Sequence, residues 1–357
     1  MKNRRILYAA SSMSHIERFH LDYISAQREL GNEVTVMASG AGADIDIRFE
    51  KRIFSVKNLL NGFKIRKILQ NQRFDALILN TSLAAFWIRA ALGKNRPKTV
   101  YIVHGFLFKE KKNTPREALF LLAERLLGKR TDALIVMNGE DLRIASKFRL
   151  AKRIFTSRGM GCEIREIITS PEHIRYEFFG ERRFVLCFVG ELSKRKNQAF
   201  LIRGVAALKT KIPSILLCLV GDGKERESLA QLAAALGIHD RVVFTSERSD
   251  ACDFIRACDL YVSASHGEGL PFNLIEALGA GRTVLASNVK GHADIIDDEI
   301  DGFLYKSENL FDFVNKTYQI YRRIIFVKEE NVHKKYLKFS KPEVFSETLS
   351  KILEAIK

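Results

Sequence analysis

No apolar run in these 357 residues approaches the ~20 that a helix needs to cross a bilayer; the long ones are the size of Phe184-Val185-Leu186-Cys187-Phe188-Val189. A membrane-spanning role is not expected. The chain opens on Met-Lys-Asn-Arg-Arg and passes into a strand-like run, without a signal-peptide core or a small-residue cleavage site. Export by that route is not expected either. Cysteine is sparse, at 162, 187, 218, 252 and 258, and forms no Cys-x-x-Cys pair. Cys187 and Cys218 sit in apolar runs and Cys258 closes a helix-like one, which suits small buried hydrophobes in a reducing cytosol and gives no reason to expect a metal site. Short repeats and low-complexity tracts are also absent.

What is present is an ordinary globular balance, 46% hydrophobic and 28% charged, which excludes a disordered chain. The length is about twice that of a common single domain, so two domains are the default. Net charge is +16 and uneven: +14 over residues 1–177 and +2 over residues 178–357. Such asymmetry suggests an anionic partner for the first half, either nucleic acid or an anionic membrane surface.

Short apolar runs alternate with longer amphipathic ones. Arg5–Ala10, Val34–Met37, Asp75–Asn80, Thr99–His104 and Ala133–Met137 read as strands. Residues 15–30, stopped by Gly31, read as a helix, as do Ser82–Leu92 and Pro115–Leu127. The last opens with Thr114 as cap and Pro115 in its first turn. The alternation then restarts, with strands at Phe184–Val189, Ile215–Val220, Val242–Thr245, Leu260–Ala264 and Val284–Ala286, joined by helices at 198–209, 225–236, 250–258 and 271–280. This order implies parallel sheets covered on both faces, and right-handed crossovers make two doubly wound α/β domains in succession. The seam is expected near Ser170-Pro171, with a linker up to Arg183. That gives one domain over 1–177, a second over 178–340, and a helix over 341–357 packing back on the first. Ligands of open α/β sheets bind beyond the carboxyl ends of the strands, so chemistry is expected in a cleft between the two domains.

The most informative segment is Ser265-His266-Gly267-Glu268-Gly269-Leu270-Pro271-Phe272-Asn273-Leu274-Ile275-Glu276-Ala277. It follows a strand and opens a helix. Gly267 and Gly269 permit a tight loop, Pro271 suits the first helical turn, and the amides of Phe272, Asn273 and Leu274 are expected free for a phosphate at the positive helix end. Glu268 lies on the loop and Glu276 eight positions later on the helix. Two carboxylates beside a phosphate site make sense when the ligand also offers vicinal hydroxyls. The plainer alternative is a capping glutamate and a surface glutamate.

This segment resembles the glutamate–seven-residues–glutamate signature of the retaining GT-B glycosyltransferases of family 4. Phe188-Val189-Gly190-Glu191-Leu192-Ser193-Lys194-Arg195-Lys196-Asn197 resembles the strand and loop that open the family's donor domain, Leu219-Val220-Gly221-Asp222-Gly223 its next strand end, and Ala257–Val262 the run before the glutamate motif. In the first half, Val103-His104-Gly105-Phe106, Thr131–Ile135 and the Ile6–Val36 stretch with His15, Phe19 and His20 resemble members that build bacterial surface polysaccharides. The resemblance spans nearly the whole chain. It implies two Rossmann-like domains facing across a cleft, the first taking the acceptor and the second a nucleotide diphosphate sugar, UDP-linked in the commonest case.

By that resemblance, Glu276 holds the ribose hydroxyls, Glu268 the transferred sugar, and the amides of Phe272, Asn273 and Leu274 the diphosphate. Gly190 ends the strand beside it. Lys196 neutralises the diphosphate leaving group. Where the family usually has arginine after the glycine, this chain has Glu191, so Arg195 or Lys194 is expected to supply the second positive charge. His104 is expected near the anomeric carbon. The glycine-rich turn that the family often carries after its first strand is missing; Ser14 and His15 stand there instead. The resemblance further implies retention by front-side attack, in which charge on the departing diphosphate and an oxocarbenium-like sugar is stabilised, with no obligatory metal or other cofactor. Asp44-Ile45-Asp46 has metal-site spacing but lies away from the donor motifs.

Two basic clusters remain. Lys109, Lys111, Lys112 and Arg116 flank an apolar helix with Leu119, Phe120, Leu121 and Leu122; the other comprises Lys51, Arg52, Lys57, Lys64, Arg66 and Lys67. Together they suggest peripheral attachment to anionic lipid, at ~1 kcal/mol per well-placed cation. The expected protein is a cytoplasmic, membrane-associated transferase acting on a lipid-diphosphate-linked saccharide in capsule, exopolysaccharide or O-antigen assembly. A sugar-nucleotide 2-epimerase of the same fold, a basic nucleic-acid-binding protein and a non-catalytic scaffold are the alternatives. Nucleic acid is not expected as a partner, because no binding module interleaves basic and aromatic residues.

Overall fold

The computed structural model describes residues 3–50, 52–110, 113–157, 159–164, 166–180 and 183–356, with the backbone alone at 342–344. Two compact units divide the chain: Met1–Met160 together with Pro342–Lys357, and Gly161–Lys341. The division falls earlier than the expected boundary at 177.

The first unit holds β1 (Arg5–Ala9), β2 (Glu33–Ala38), β3 (Ile45–Asp46), β4 (Ala76–Asn80), β5 (Lys98–Val103), β6 (Ala133–Val136) and β7 (Arg153–Thr156). They form one parallel sheet in the order β3-β2-β1-β4-β5-β6-β7. Successive residues Ile6–Ala9 and Leu77–Leu79 are buried, as a sheet covered on both faces requires. The second unit holds β8 (Phe184–Val189), β9 (Ile215–Val220), β10 (Val242–Phe244), β11 (Leu260–Ser263), β12 (Thr283–Ser287) and β13 (Phe303–Tyr305). It is likewise parallel, in the order β10-β9-β8-β11-β12-β13. In both sheets the order reverses beside the first strand, between β1 and β4 and between β8 and β11. Those reversals are where a doubly wound sheet binds its ligands.

Three local readings are corrected. Residues 15–30 are not one helix: Met13–Phe19 and Leu21–Glu29 are separate, broken at His20, whose backbone leaves the helical region (φ −134°, ψ −6°). Its ring sits 2.8 Å from the Tyr8 hydroxyl on β1, so a tertiary contact interrupts a helical pattern. The supposed linker is partly helical, Pro171–Ile174 running into the wide turn Arg175–Phe179. Ser170 caps it by accepting from the His173 amide at 3.2 Å, and Asp253 accepts from the Ile168 and Thr169 amides, each at 2.9 Å. A helix at Val56–Asn71, missing from the sequence reading, precedes β4. The cap at Thr114 is as expected: its hydroxyl accepts from the Glu117 amide, and Glu117 returns a bond to the Thr114 amide.

The C-terminal helix Pro342–Ala355 packs on the first unit. Phe345 meets Tyr23 edge-on at 4.8 Å, and Arg4 donates to the Leu353 carbonyl at 2.9 Å. No described helix is long and apolar enough to cross a membrane.

Candidate active site

In the second unit, the loops after β8 and β11 meet at the reversal. The β8 loop is held from beneath by buried Gln198, which donates to the Glu191 carbonyl at 2.8 Å and accepts from the Ser193 amide at 3.3 Å. The two loops are tied by backbone, since the His266 amide donates to the Arg195 carbonyl at 3.0 Å. Side chains complete the junction: Arg195 Nη1 lies 2.5 Å from Glu268 Oε2 and 3.2 Å from the Gly267 carbonyl, and Lys196 Nζ lies 2.6 Å from Glu268 Oε1. Glu268 and Lys196 are nearly buried, at 8% and 12% side-chain exposure, whereas Arg195 is half exposed at 53%.

Burial alone would raise the Glu268 pKa, but the charges of Lys196 and Arg195 outweigh it and hold the carboxyl below its usual range. Burial likewise pulls the Lys196 pKa down, and Glu268 pushes back only in part. The outcome is a charged triad in which Glu268 and Lys196 are withdrawn from water and Arg195 stays half exposed. Such a cluster suits a ligand that brings further negative charge.

A third loop, after β12, backs Glu268. The Glu268 amide donates to the Lys290 carbonyl at 3.0 Å, and at Gly291 (φ +87°) a Cβ would fall 2.7 Å from the Glu268 Cβ. His292, fully buried, lies 3.1 Å from Ser263 Oγ and 3.1 Å from Ser287 Oγ, and Ser287 donates to the Ser265 carbonyl at 2.7 Å. Burial depresses the His292 pKa to about 4, so the imidazole is neutral at pH 7.

The helix that carries the second glutamate runs from Phe272 to Gly279 with Pro271 in the capping position. The first turn closes tightly: the Leu274 amide donates to the Pro271 carbonyl at 3.1 Å, an i→i−3 bond. It is therefore not free for a diphosphate, contrary to the sequence reading. Asn273 on the first turn donates its side-chain amide to the Val189 carbonyl at the end of β8, and Gly190 follows at φ +146°. Gly190 in turn packs against Gly221, where a Cβ would fall 2.2 Å from the Gly190 carbonyl oxygen. Glu276 is half buried further along the helix. Burial above all raises the pKa of the Tyr261 hydroxyl, and the charges of Glu276 and Glu268 both add to it.

Thus Glu268, Lys196, Arg195, Gly190 and Asn273 share one junction, with Phe272 and Glu276 on the adjoining helix. Lys194 and Glu191 are exposed on the β8 loop, which leaves Arg195 as the second cation at Glu268. Gln198, Gly291 and His292 were missed by sequence reading; a glycine-histidine pair shortly after a predicted strand was the available signal.

His104 belongs to the first unit, one residue past β5. There it meets His15 and His20, with ring centroids 4.9 Å and 5.4 Å away. His15 Nε2 lies 3.1 Å from His20 Nε2, and Tyr8 closes the chain at His20 Nδ1. Burial depresses all three imidazole pKa values, to about 4 for His15, about 3 for His104 and well below the usual value for His20. Of the basic residues singled out from the sequence, Lys51, Lys111 and Lys112 lie outside the described residues. Lys57, Lys64, Arg66 and Lys67 are exposed on the helix Val56–Asn71, beside exposed Val56, Leu59, Leu60 and Phe63.

The description "Glycosyltransferase Family 4" matches residues 16–156, and "Glycosyl transferases group 1" matches residues 170–323. Glycosyltransferase EpsD of Bacillus subtilis (strain 168) is 30% identical over 335 residues, covering 90% of this chain and 88% of that one. The chain belongs to glycosyltransferase family 4. This family 4 glycosyltransferase is also 25% identical over 274 residues to an Escherichia coli protein named UDP-Gal:alpha-D-GlcNAc-diphosphoundecaprenol alpha-1,3-galactosyltransferase, covering 74% of this chain and 71% of that one. Among solved structures, Anabaena HepE in complex with UDP and glucose matches with a TM-score of 0.81 at 19% identity, over 99% of this chain and 100% of that one. WaaG, involved in lipopolysaccharide biosynthesis, matches with a TM-score of 0.75 at 19% identity, over 97% and 99%. These likenesses establish the fold of the family 4 chain as GT-B, two Rossmann-like units of parallel sheet.

Proposed function

We propose that this glycosyltransferase moves a sugar, with retention, from a UDP-sugar to a lipid-diphosphate-linked saccharide during surface polysaccharide assembly, at the cytoplasmic face of the membrane. The observation that carries the reading is the Glu268–Lys196–Arg195 cluster at the reversal of the second sheet. Two cations held at one carboxylate are poised for a diphosphate whose negative charge grows as the sugar leaves, and desolvated charges act strongly on that change. Glu268 then turns its carboxylate to sugar hydroxyls, Glu276 takes the ribose hydroxyls, and the amides of Phe272 and Asn273 face the diphosphate at the helix end. Gly190 keeps side-chain bulk away from it. His104 is assigned to the transferred sugar by the family resemblance. The leaving phosphate oxygen takes the acceptor's proton, so the step needs no metal and no protein base.

The acceptor class is supported by the 25% identity to the E. coli transferase, whose name specifies a diphosphoundecaprenol-linked sugar. Membrane attachment is supported by the +14 charge of residues 1–177 and the exposed apolar side chains of the helix Val56–Asn71. A thermal-shift screen of nucleotide sugars, followed by transfer to lipid-linked acceptors, tests the reading. A UDP-sugar at ~100 times its dissociation constant stabilises by about 2.7 kcal/mol. Stabilisation by no uridine nucleotide, or turnover of the donor to an isomer without any acceptor, overturns it.

A further inference from the structure

Three imidazoles meet in the first unit, and one of their nitrogens is conspicuously unsatisfied. His104 Nε2 is buried without a hydrogen-bond partner, a costly condition for a polar atom unless something else engages its lone pair. One ring nitrogen from each of His15, His20 and His104 lies within 4.8 Å of the other two. Of these, His15 Nε2 and His20 Nε2 are already 3.1 Å apart. Ligand nitrogens on a tetrahedral zinc ion at 2.0–2.1 Å stand about 3.3 Å from one another, so the His15–His20 edge needs little change, and a rotation of the His104 ring closes the two edges to it, both within 4.8 Å.

We propose that His15, His20 and His104 bind a zinc-class divalent ion through their ring nitrogens. The chemistry of the donor set favours it. The Tyr8 hydroxyl lies 2.8 Å from His20 Nδ1 and leaves Nε2 facing the cluster; with Nε2 on a metal the hydroxyl would accept the Nδ1 proton, the outer contact that metal-bound histidines usually have. Imidazole is a good ligand for zinc, cobalt and nickel, and a poor one for magnesium or calcium. Three neutral ligands leave the ion's charge uncompensated and a fourth position open, which an anionic oxygen, hydroxide or phosphate, would fill. His15 is only partly buried, so that position has a route to solvent. The site shares His104 with the sugar contact proposed above, but its test is metal binding, which is read without a donor.

The test is titration of the full chain, stripped by chelator, with ZnCl2 against a chromophoric competitor and with CoCl2 by visible absorption. One ion per chain is expected, with the intense cobalt bands of a four-coordinate site. His15→Gln and His104→Gln each lower zinc affinity at least 100-fold, and Tyr8→Phe lowers it about 10–100-fold. Circular dichroism confirms that each variant is folded. Zinc and cobalt binding that is absent, or that is equal in wild type and the folded His15→Gln/His104→Gln double variant, overturns the proposal. Failure of UDP binding at Glu276 leaves this result untouched, so the two readings fail separately.

Discussion

Lys196 Nζ stands 2.6 Å from Glu268 Oε1, and both side chains are nearly withdrawn from water. The pair joins the loop after β8 to the loop after β11 and, with the Arg195 and His266 links beside it, holds the geometry of the site and carries part of the unit's stability. Removing one member of a buried ion pair strands the other, at a cost of about 3–5 kcal/mol. Arg195 remains beside Glu268 and softens the loss to about 3 kcal/mol for Lys196→Ala. Kinetically, the lysine meets more charge as the diphosphate departs than in the bound donor, so Lys196→Ala lowers kcat more than it raises KM. Urea unfolding and steady-state kinetics on one preparation check both halves. Equal effects on kcat and on donor affinity reject the leaving-group role.

Donor affinity depends on the other glutamate. Glu276→Gln keeps size but removes the charge that draws two ribose hydroxyls, so UDP binding weakens by about 1.5–3 kcal/mol. Calorimetric titration of UDP into folded wild type and variant measures it. Unchanged affinity sinks the ribose assignment.

Gly291 tests the support behind Glu268. Its φ of +87° disfavours any side chain, and a Cβ there would stand 2.7 Å from that of Glu268. Gly291→Ala therefore costs more than the usual 1 kcal/mol of a left-handed glycine and moves Glu268 off its cations. Activity falls at least tenfold while UDP affinity changes little. A variant as active as wild type shows that the β12 loop does not position Glu268.

How much of this was legible in the sequence follows from what burial leaves visible. The inner strands of both sheets are continuous apolar runs because both faces are covered, so they were readable residue by residue; the short strands Ile45–Asp46, Arg153–Thr156 and Phe303–Tyr305 at the sheet edges were missed. Glu268 and Glu276 were found because their spacing spans one loop and the first turn of a helix, a local property. The break at His20 was invisible because the apolar period continues through it and the cause, Tyr8, is twelve residues away. The helix Val56–Asn71 was missed because Leu59, Leu60 and Phe63 are exposed on it, which blurs the contrast between an inward and an outward face. Nothing in the spacing of Glu268 and Gly291 says they touch. The Leu274 amide was read as free because first-turn amides usually lack a partner; its tight i→i−3 bond to the Pro271 carbonyl leaves no mark in the sequence.

His292 makes the donor unit sensitive to acid. Burial brings its pKa down from 6.5 to about 4, so the unfolded chain takes up this proton first as pH falls. The stability present above pH 6.5 is lost progressively between 6.5 and 4, and this group takes no more below that. At about 1.4 kcal/mol per pKa unit the loss is about 3 kcal/mol. Denaturant unfolding of wild type and His292→Gln at pH 7.5, 5.5 and 4.5 isolates it: the gap between them narrows as pH falls. A gap constant across that range shows that His292 is not the titrating group.

The proposed membrane attachment rests on both charge and apolar contact, and the two respond differently to salt. The exposed Lys57, Lys64, Arg66 and Lys67 attract anionic lipid through a field screened over ~8–10 Å near physiological ionic strength. Val56, Leu59, Leu60 and Phe63, exposed on the same helix, insert shallowly and leave a component that salt does not remove, as interfacial helices do. Nucleic-acid binding also weakens with salt, so the comparison that decides is co-sedimentation with anionic vesicles against binding to a random duplex at one ionic strength. Vesicles win, and part of the binding survives 0.5 M salt. Leu60→Asp/Phe63→Asp abolishes the salt-resistant part and leaves transfer to a short soluble acceptor intact, because these side chains already face water and the core of the unit does not need them. Tight duplex binding with no affinity for vesicles reverses the reading and returns the basic half to nucleic acid.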